Sequence, residues 1–464
     1  MSNTIIENRI NNVINNLQVQ TSCNDKFRES TLIERMTELN IPGISITVID
    51  DGVIDWTRGF GVKKFGNMHP IDDNSMFLAG SVSKPIFALT VMKLKEKGLI
   101  DLDRDVNKYL TSWKVPKIGN WQPTITLRQI LSHTAGLTVH GFLGYLKSEK
   151  IPTIQEILTG KMPANSQKVV VNILPGTQFK YSGGGTTIAQ LAIEDYFDKP
   201  LYKIVEDELF IPLKLKNSTY KQIIPASKQK QLVTGHPYKN QPIIGGHHIY
   251  PEMAAAGLWS TTADLAKITI EIQKAIKGDS LFIKKETIEE MLTPPKFSPN
   301  YSLGFQLEGK KETRRFFHGG WDEGFVSYFG SYQHETKGAI IMVNSNEGFQ
   351  IMDEILKSIA KEYKWKKYLT NRRKNVKVLE STFEKYIGSF TTENNVHFKV
   401  LKHNKKLYFQ VENQQPLVLS SQNKQNFYIN GLNTNITFNF AKNNEVKSIE
   451  IKQDNSTLIA TKNE

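Results

Sequence analysis

The stretch Gly80-Ser81-Val82-Ser83-Lys84-Pro85, followed by the apolar run Ile86 to Met92, decides how the rest of this chain is read. Phe77-Leu78-Ala79 leads into it with strand character. Residues three apart share a helix face, so a lysine in the first turn at position 84 reaches the hydroxyl of Ser81. Serine becomes a nucleophile when a base takes its proton, and a desolvated lysine supplies one near neutral pH. A helix N-terminus adds partial positive charge and unpaired N–H donors where an oxyanion forms. The run stays apolar nearly all round until Lys93, Lys95 and Lys97 restore a wet face, and Gly98 is the expected C-cap. A helix buried in this way holds its first turn rigidly, as a nucleophile requires. Ser and Lys are common, so the pair gains meaning only from partners elsewhere in the chain.

Length and composition set the frame. A chain of 464 residues exceeds one ordinary core, which implies a large domain and a smaller one. Hydrophobic residues make up 39% and charged ones 23%, the balance of a water-soluble globular protein, and no apolar run approaches the ~20 residues of a membrane span. The first nine residues, Met1-Ser2-Asn3-Thr4-Ile5-Ile6-Glu7-Asn8-Arg9, lack the basic-then-apolar order of a signal peptide, so the expected location is cytoplasmic. Ile5, Ile6, Ile10, Val13, Ile14 and Leu17 recur at helical spacing and predict an N-terminal helical extension over residues 1–28. The single Cys23 excludes a disulfide framework and a cysteine-based zinc cage. The net charge of +13 is spread along the chain; its main cluster, 361–377 with Lys366, Lys367, Arg372, Arg373 and Lys374, reads as a solvated basic linker over 361–378. No nucleic-acid partner is expected. An anionic-surface site there is the competing reading, and its binding would collapse as salt rises.

Along the chain, Leu32, Ile33, Met36 and Leu39 predict a helix capped by Ser30 or Thr31 and ended by Pro42-Gly43. Ile44, Ile46 and Val48 alternate with polar positions, Asp51-Gly52 turns, and Val53 to Trp56 runs back as a hairpin. From Leu99 to about Trp259 the pattern is mixed and mainly helical, with Thr186 to Tyr196 as one helix and Ser260 or Thr261 capping another. Strand signals return at Arg315 to His318, Phe325 to Tyr332 and Gly338 to Val343. Residues 379–464 alternate apolar and polar, with turn signals at Asn430-Gly431 and Asn443-Asn444, and read as a small antiparallel β domain.

Three motifs stand in order: Ser81-x-x-Lys84, Tyr181-Ser182-Gly183 and His318-Gly319-Gly320. The set resembles the serine β-lactamase-like superfamily, which includes class C β-lactamases, D-alanyl-D-alanine carboxypeptidases, D-aminopeptidases and related esterases. Pro42-Gly43-Ile44, Asp51-Gly52, Leu131 to Leu137, Leu174-Pro175-Gly176 and Gly257 to Leu265 carry the resemblance over roughly residues 30–350. It implies an α+β fold over residues 29–360, an antiparallel sheet flanked by helices with an inserted helical lobe. The C-terminal β domain, 379–464, looks like the barrel-like module of some members. It implies Ser81 as acylated nucleophile, with Lys84 and Tyr181 moving protons and either one the base. It implies backbone N–H groups of Ser81 and Trp321 as oxyanion donors, and His318 flanking the site to bind a substrate carboxylate or assist proton transfer. Gly319 and Gly320 would leave the strand edge bare for a substrate carbonyl. The substrate is expected to be a small ester or peptide-like molecule, with no metal or organic cofactor.

The motifs also depart from the lactamase pattern. The second motif is usually Tyr-x-Asn, and Gly183 replaces the amide. The third is Lys-Thr-Gly in class C enzymes, and here it is His-Gly-Gly. Both changes weaken recognition of a β-lactam carboxylate and favour esterase or peptidase chemistry over a β-lactamase or penicillin-binding carboxypeptidase. A non-catalytic scaffold or filament-forming relative is the alternative of another class, disfavoured by the intact Ser81, Lys84 and Tyr181. His133 reads as structural, His236, His247 and His248 as loop histidines rather than metal ligands, and Trp259 and Trp321 as pocket wall or core. Glu323 either lines the acyl pocket or pairs with a surface lysine.

Overall fold

The computed structural model describes residues 3–20 and 27–366, and residues 378–463 apart from 394–395, 404–405, 413–415, 430–433, 442 and 454–455. The chain divides into two compact units, Met1–Ile14 with Thr31–Lys366, and Asn15–Ser30 with Lys367–Glu464. No helix among the described residues is long and apolar enough to cross a membrane.

In the first unit, helix α1 (Asn3–Ile14) buries Ile10 and Val13, and Arg9 donates to Asp55 at 2.9 Å. Among its described residues the expected N-terminal extension is therefore helical over Asn3–Ile14. Beyond it, β1 (Leu17–Gln20) and β2 (Phe27–Ser30) pair as an antiparallel hairpin that belongs to the second unit. Thr31 caps α2 (Leu32–Glu38) through a reciprocal bond with Glu34, the capping-box arrangement. Strands β3 (Gly43–Asp50) and β4 (Val53–Gly61) form the expected hairpin, with Asp51 and Gly52 both at positive φ. The short strand β5 (Phe77–Leu78) leads to helix α3 (Ser83–Glu96) and pairs with β6 (Trp259–Ser260).

Strands β7 (Gln306–Glu308), β8 (Arg315–Asp322), β9 (Phe325–Tyr332) and β10 (Gly338–Val343) complete an antiparallel sheet of order β4-β3-β10-β9-β8-β7. Every residue of β3 and β10 is buried, because helices Thr262–Lys277 and Gly348–Glu362 cover the sheet. The polar positions of β3 therefore do not meet water. Ser45 shares a hydrogen bond with Thr262 at 2.8 Å and Thr47 one with Thr57 at 2.9 Å, which removes the cost of burying bare hydroxyls. Residues 99–258 form the helical lobe between α3 and the closing strands, built around the buried helix Gly183–Phe197.

The first residues of the stretch expected as a basic linker, 361–378, belong to a helix and its packed end. Helix Gly348–Glu362 carries Lys361, and Tyr363 and Trp365 are buried after it. Tyr363 bonds Asp55 at 2.5 Å and accepts from the Trp56 indole at 2.7 Å. Lysines alternate there with aromatics that face inward, so charge alone misplaces the boundary. Residues 367–377, with Arg372, Arg373 and Lys374, lie outside the described residues.

In the second unit, β11 (Gly388–Thr392), β12 (His397–His403), β13 (Lys406–Val411), β14 (Leu417–Ser421), β15 (Asn426–Ile429), β16 (Thr434–Phe440), β17 (Val446–Gln453) and β18 (Ser456–Lys462) form a closed antiparallel barrel. β11 pairs with β18, Phe390 opposite Lys462, so no sheet edge remains. Phe390, Phe398, Val400, Phe409, Phe427, Ile436 and Phe438 fill its interior, as strand alternation requires. Asn444 turns β16 into β17 at φ 63°, while Asn430-Gly431 lies outside the described residues.

Candidate active site

Ser81 sits in a single 3-10 turn, Gly80–Val82, that runs directly into α3. Lys84 Nζ donates to Ser81 Oγ at 2.9 Å and to the Ala255 carbonyl at 2.8 Å. The turn is held from several sides. Gly80 N–H donates to Asp322 Oδ2 at 3.1 Å, Ser83 Oγ donates to the Gly80 carbonyl at 2.6 Å, and Tyr220 donates to the Ser83 carbonyl at 2.6 Å. Gly80 has φ +53°, and a Cβ there would come within 2.5 Å of Trp321 N. Only glycine meets both demands. Ser81 itself is half-buried, and among the described residues no acceptor pairs with its N–H.

Strand β8 passes against this turn. The two-residue loop Glu323–Gly324 closes the β8–β9 hairpin, with Asp322 opposite Phe325 and Trp321 opposite Val326. Alternation of hydrogen-bonded pairs then points the Trp321 N–H away from β9, toward Gly80 and Ser81. β7 covers β8 only at Arg315–Phe317, so the edge from His318 to Asp322 has no strand beside it. The two glycines of the motif differ. A Cβ on Gly319 would meet nothing nearer than the Ser327 carbonyl at 4.0 Å, whereas one on Gly320 would overlap the Ala79 carbonyl. Gly319 leaves the edge open. Gly320 is small because β8 packs on the strand that leads to Ser81.

Tyr181 is half-buried, with Lys84 Nζ 5.0 Å from its ring centroid. Its ring packs against His133 at 4.2 Å and His140 at 4.8 Å. Ser182 caps the following helix, accepting from Gly185 N–H at 2.8 Å. Gly183 is crowded by the His140 carbonyl, 3.0 Å from an added Cβ, and by Phe142 at 3.2 Å. The segment 139–142 thus occupies the room an asparagine side chain would need.

His318 is buried and bonded within the protein. It is 1% exposed, its Nδ1 bonds the Gly319 carbonyl at 2.6 Å, and its Nε2 bonds the Tyr301 hydroxyl at 3.0 Å. Burial, reinforced by Lys84, pushes its pKa down to about 3, so it stays neutral with both nitrogens used inside the protein. A neutral, fully bonded imidazole offers no charge to a substrate carboxylate. His133 is structural, buried at φ +55°, with its pKa held well below the usual range by burial and then by Lys84.

The remaining expectations resolve individually. His236 accepts from Phe65 N–H at 3.1 Å and bonds the Asn344 carbonyl at 2.8 Å, His247 packs on Trp259, and His248 bonds the Leu143 carbonyl at 2.8 Å. Trp259 is core. Trp321 donates its indole N–H to Asn346 at 3.0 Å, and Glu323 accepts from the Asn346 amide at 3.1 Å instead of pairing with a lysine.

Four participants escaped the sequence reading. The Ala255 carbonyl is a backbone atom without a signature. Asp322 is fully buried, its carboxyl pushed well above the usual range by burial despite the nearby Lys84. Glu252, directly before the turn that carries Ala255, is buried with neither oxygen bonded, and burial raises its pKa to about 8. Tyr301 joins two motifs by its hydroxyl. A shallow pocket of about 280 Å³ lies beside Gly183, lined by Val139, His140, Phe142, Leu143 and Asn165 among others.

With this geometry the chain was compared with known proteins. The family model described as Beta-lactamase matches residues 29–363. Penicillin-binding protein 4* of Bacillus subtilis is 22% identical over 460 residues, 93% of this chain and 98% of that protein. Among solved structures, the octameric penicillin-binding protein homologue from Pyrococcus abyssi superposes with a TM-score of 0.62 at 22% identity, covering 92% of this chain and 98% of its own. A β-lactamase/D-alanine carboxypeptidase from Yersinia pestis, complexed with citrate, gives 0.54 at 19% identity over 70% of this chain and 95% of its own.

Proposed function

The chain belongs to the β-lactamase family, whose members are normally serine hydrolases, and from that premise we propose that it hydrolyses ester or amide substrates through an acyl-enzyme on Ser81. The observation that carries this reading is the 2.9 Å contact of Lys84 Nζ with Ser81 Oγ at a rigid, half-buried turn. In the proposed reaction Ser81 Oγ bonds to the substrate carbonyl carbon, and its proton passes to the Lys84–Tyr181 pair. The carbonyl oxygen, now an oxyanion, is held by the N–H groups of Ser81 and Trp321. As the carbonyl re-forms, the bond to the leaving group breaks and that group receives the proton. Water then attacks the acyl-enzyme with the same residues acting in reverse, releasing the acid and restoring the serine.

Within this chemistry the substrate class is proposed to be an ester or a peptide-like amide without a carboxylate beside the scissile bond. The buried neutral His318 supports that choice. The second reading, a penicillin-binding or D-alanine carboxypeptidase activity, is favoured by the names of the similar proteins, one of which matches 93% of this chain. A panel of p-nitrophenyl esters, D-amino-acid amides, D-alanyl-D-alanine peptides and nitrocefin separates the two. Ester or amide turnover that exceeds that of Ser81→Ala, with little nitrocefin turnover, supports the first. Appreciable nitrocefin or D-alanyl-D-alanine cleavage supports the second, and no activity above Ser81→Ala on any member rejects both.

A further inference from the structure

Behind Tyr181 lies a run of buried polar groups drawn from four separate parts of the sequence. Ser182 N–H donates to His133 Nδ1 at 3.2 Å. The neutral His133 ring must then carry its proton on Nε2, which faces the Tyr301 hydroxyl oxygen at 3.2 Å. At the far end, the Gly319 carbonyl can only accept, so His318 Nδ1 is the donor in their 2.6 Å bond. His318 Nε2 is therefore the acceptor of the Tyr301 O–H at 3.0 Å. Both tautomers are assigned from this bonding pattern. The result is one directed relay, from Ser182 through His133, Tyr301 and His318 to the Gly319 carbonyl, with the Gly304 carbonyl a longer second acceptor for the Tyr301 O–H at 3.3 Å. His133, Tyr301 and His318 are all at most 3% exposed.

The ends of the relay sit beside the reacting groups. Ser182 follows Tyr181, and Gly319 lies two residues before Trp321. One end belongs to the helical lobe and the other to the edge of β8. We propose that Tyr301 is a positioning residue for acyl transfer, its hydroxyl setting the spacing between Tyr181 and the free edge of β8 at Trp321. This rests on the reading of Ser81 as nucleophile. Buried hydrogen bonds of fixed direction suit such a strut, because turning either ring tautomer leaves a donor facing a donor at Ser182 or an acceptor facing an acceptor at Gly319. The titratable groups that face the relay are Lys84, Tyr181 and His140. A charge on either relay histidine would meet Lys84 and lose an acceptor nitrogen, so the relay works only while both rings are neutral.

Tyr301→Phe removes the hydroxyl and keeps the ring packed at 4.8 Å on His133 and 5.6 Å on Phe179. With the best ester of the panel, kcat is expected to fall about 10–100-fold while KM changes less than about threefold, the pattern of lost positioning. Wild-type kcat in this variant overturns the proposal. In the wild-type protein, nitrogen NMR of labelled histidine should find His133 protonated on Nε2, His318 on Nδ1, and neither titrating between about pH 5 and 8. A His318 proton on Nε2, or a titration in that range, overturns it whether or not the variant folds. If wild-type protein fails to turn over any ester while the tautomers are as stated, the functional reading falls and the relay stands as structure alone.

Discussion

The turn at Ser81 and the strand segment at His318 are both motif positions, yet they handle their polar groups in opposite ways. At Ser81 the surroundings bind the neighbouring backbone groups and leave the hydroxyl half-buried: Gly80 N–H goes to Asp322 and the Ser83 carbonyl to Tyr220, while the serine hydroxyl faces Lys84. At His318 nothing is left over, because both ring nitrogens are taken by Tyr301 and Gly319. A side chain acts on a substrate only with atoms the fold has not already used, so motif membership alone does not assign a role. On the proposed function, Ser81 carries the chemistry and His318 belongs to the frame that holds it.

The sharpest way to break this contrast is a reciprocal pair of variants. Ser81→Ala should lower kcat/KM for an ester substrate at least ~10³-fold and leave thermal stability nearly unchanged. His318→Ala should do damage first to the fold, costing about 2–4 kcal/mol, because it opens a cavity and takes the nearer acceptor from the Tyr301 hydroxyl, leaving it the longer bond to the Gly304 carbonyl. Equal stability losses in the two variants, by denaturant unfolding, would remove the distinction.

A second, smaller effect concerns the buried neutral groups and pH. Folded His318 stays neutral down to about pH 3, whereas the unfolded chain takes up that proton below about 6.5, so stability is lost as pH falls through this window. His133 and His247 act in the same direction. Glu252 works the other way: it keeps its proton to about pH 8 when folded and loses it above about 4.5 when unfolded, so its contribution falls as pH rises between these values. Glu252→Gln should therefore raise Tm at pH 8 relative to pH 5 by about 2–5 °C. An unchanged pH profile of Tm would mean that Glu252 has partners the structure does not record.

The smallest expected effect separates the two motif glycines. Gly319→Ala should change stability by less than about 0.5 kcal/mol, since open space surrounds the site, while Gly320→Ala should cost about 1–3 kcal/mol through its clash with Ala79. Calorimetry of both variants checks the order, and a reversed order contradicts the packing described for β8.

What the sequence made legible was local or periodic. The approach of Lys84 to Ser81 follows from helix geometry, the β3–β4 hairpin from Asp51-Gly52, and the inward residues of the barrel from alternation. The resemblance to β-lactamase-like proteins added Tyr181 and the order of the motifs. The relay escaped because Tyr301 lies 168 residues from His133, and a tyrosine among turn residues carries no signal of its partners. Glu252 escaped because an isolated glutamate reads as surface until its burial is known. The bonding of His318 to Tyr301 and Gly319 escaped because those contacts are made only after folding. Lys361 was assigned to a linker because charge was weighed ahead of the buried Tyr363 and Trp365.

The most direct test of Ser81 as the group left free for reaction is peptide-mapped mass spectrometry of the full chain after treatment with a fluorophosphonate probe. The account predicts a single adduct on Ser81, absent from Ser81→Ala and formed more slowly in Lys84→Ala. Wild-type protein with no adduct, or with an adduct on a different serine, would contradict it.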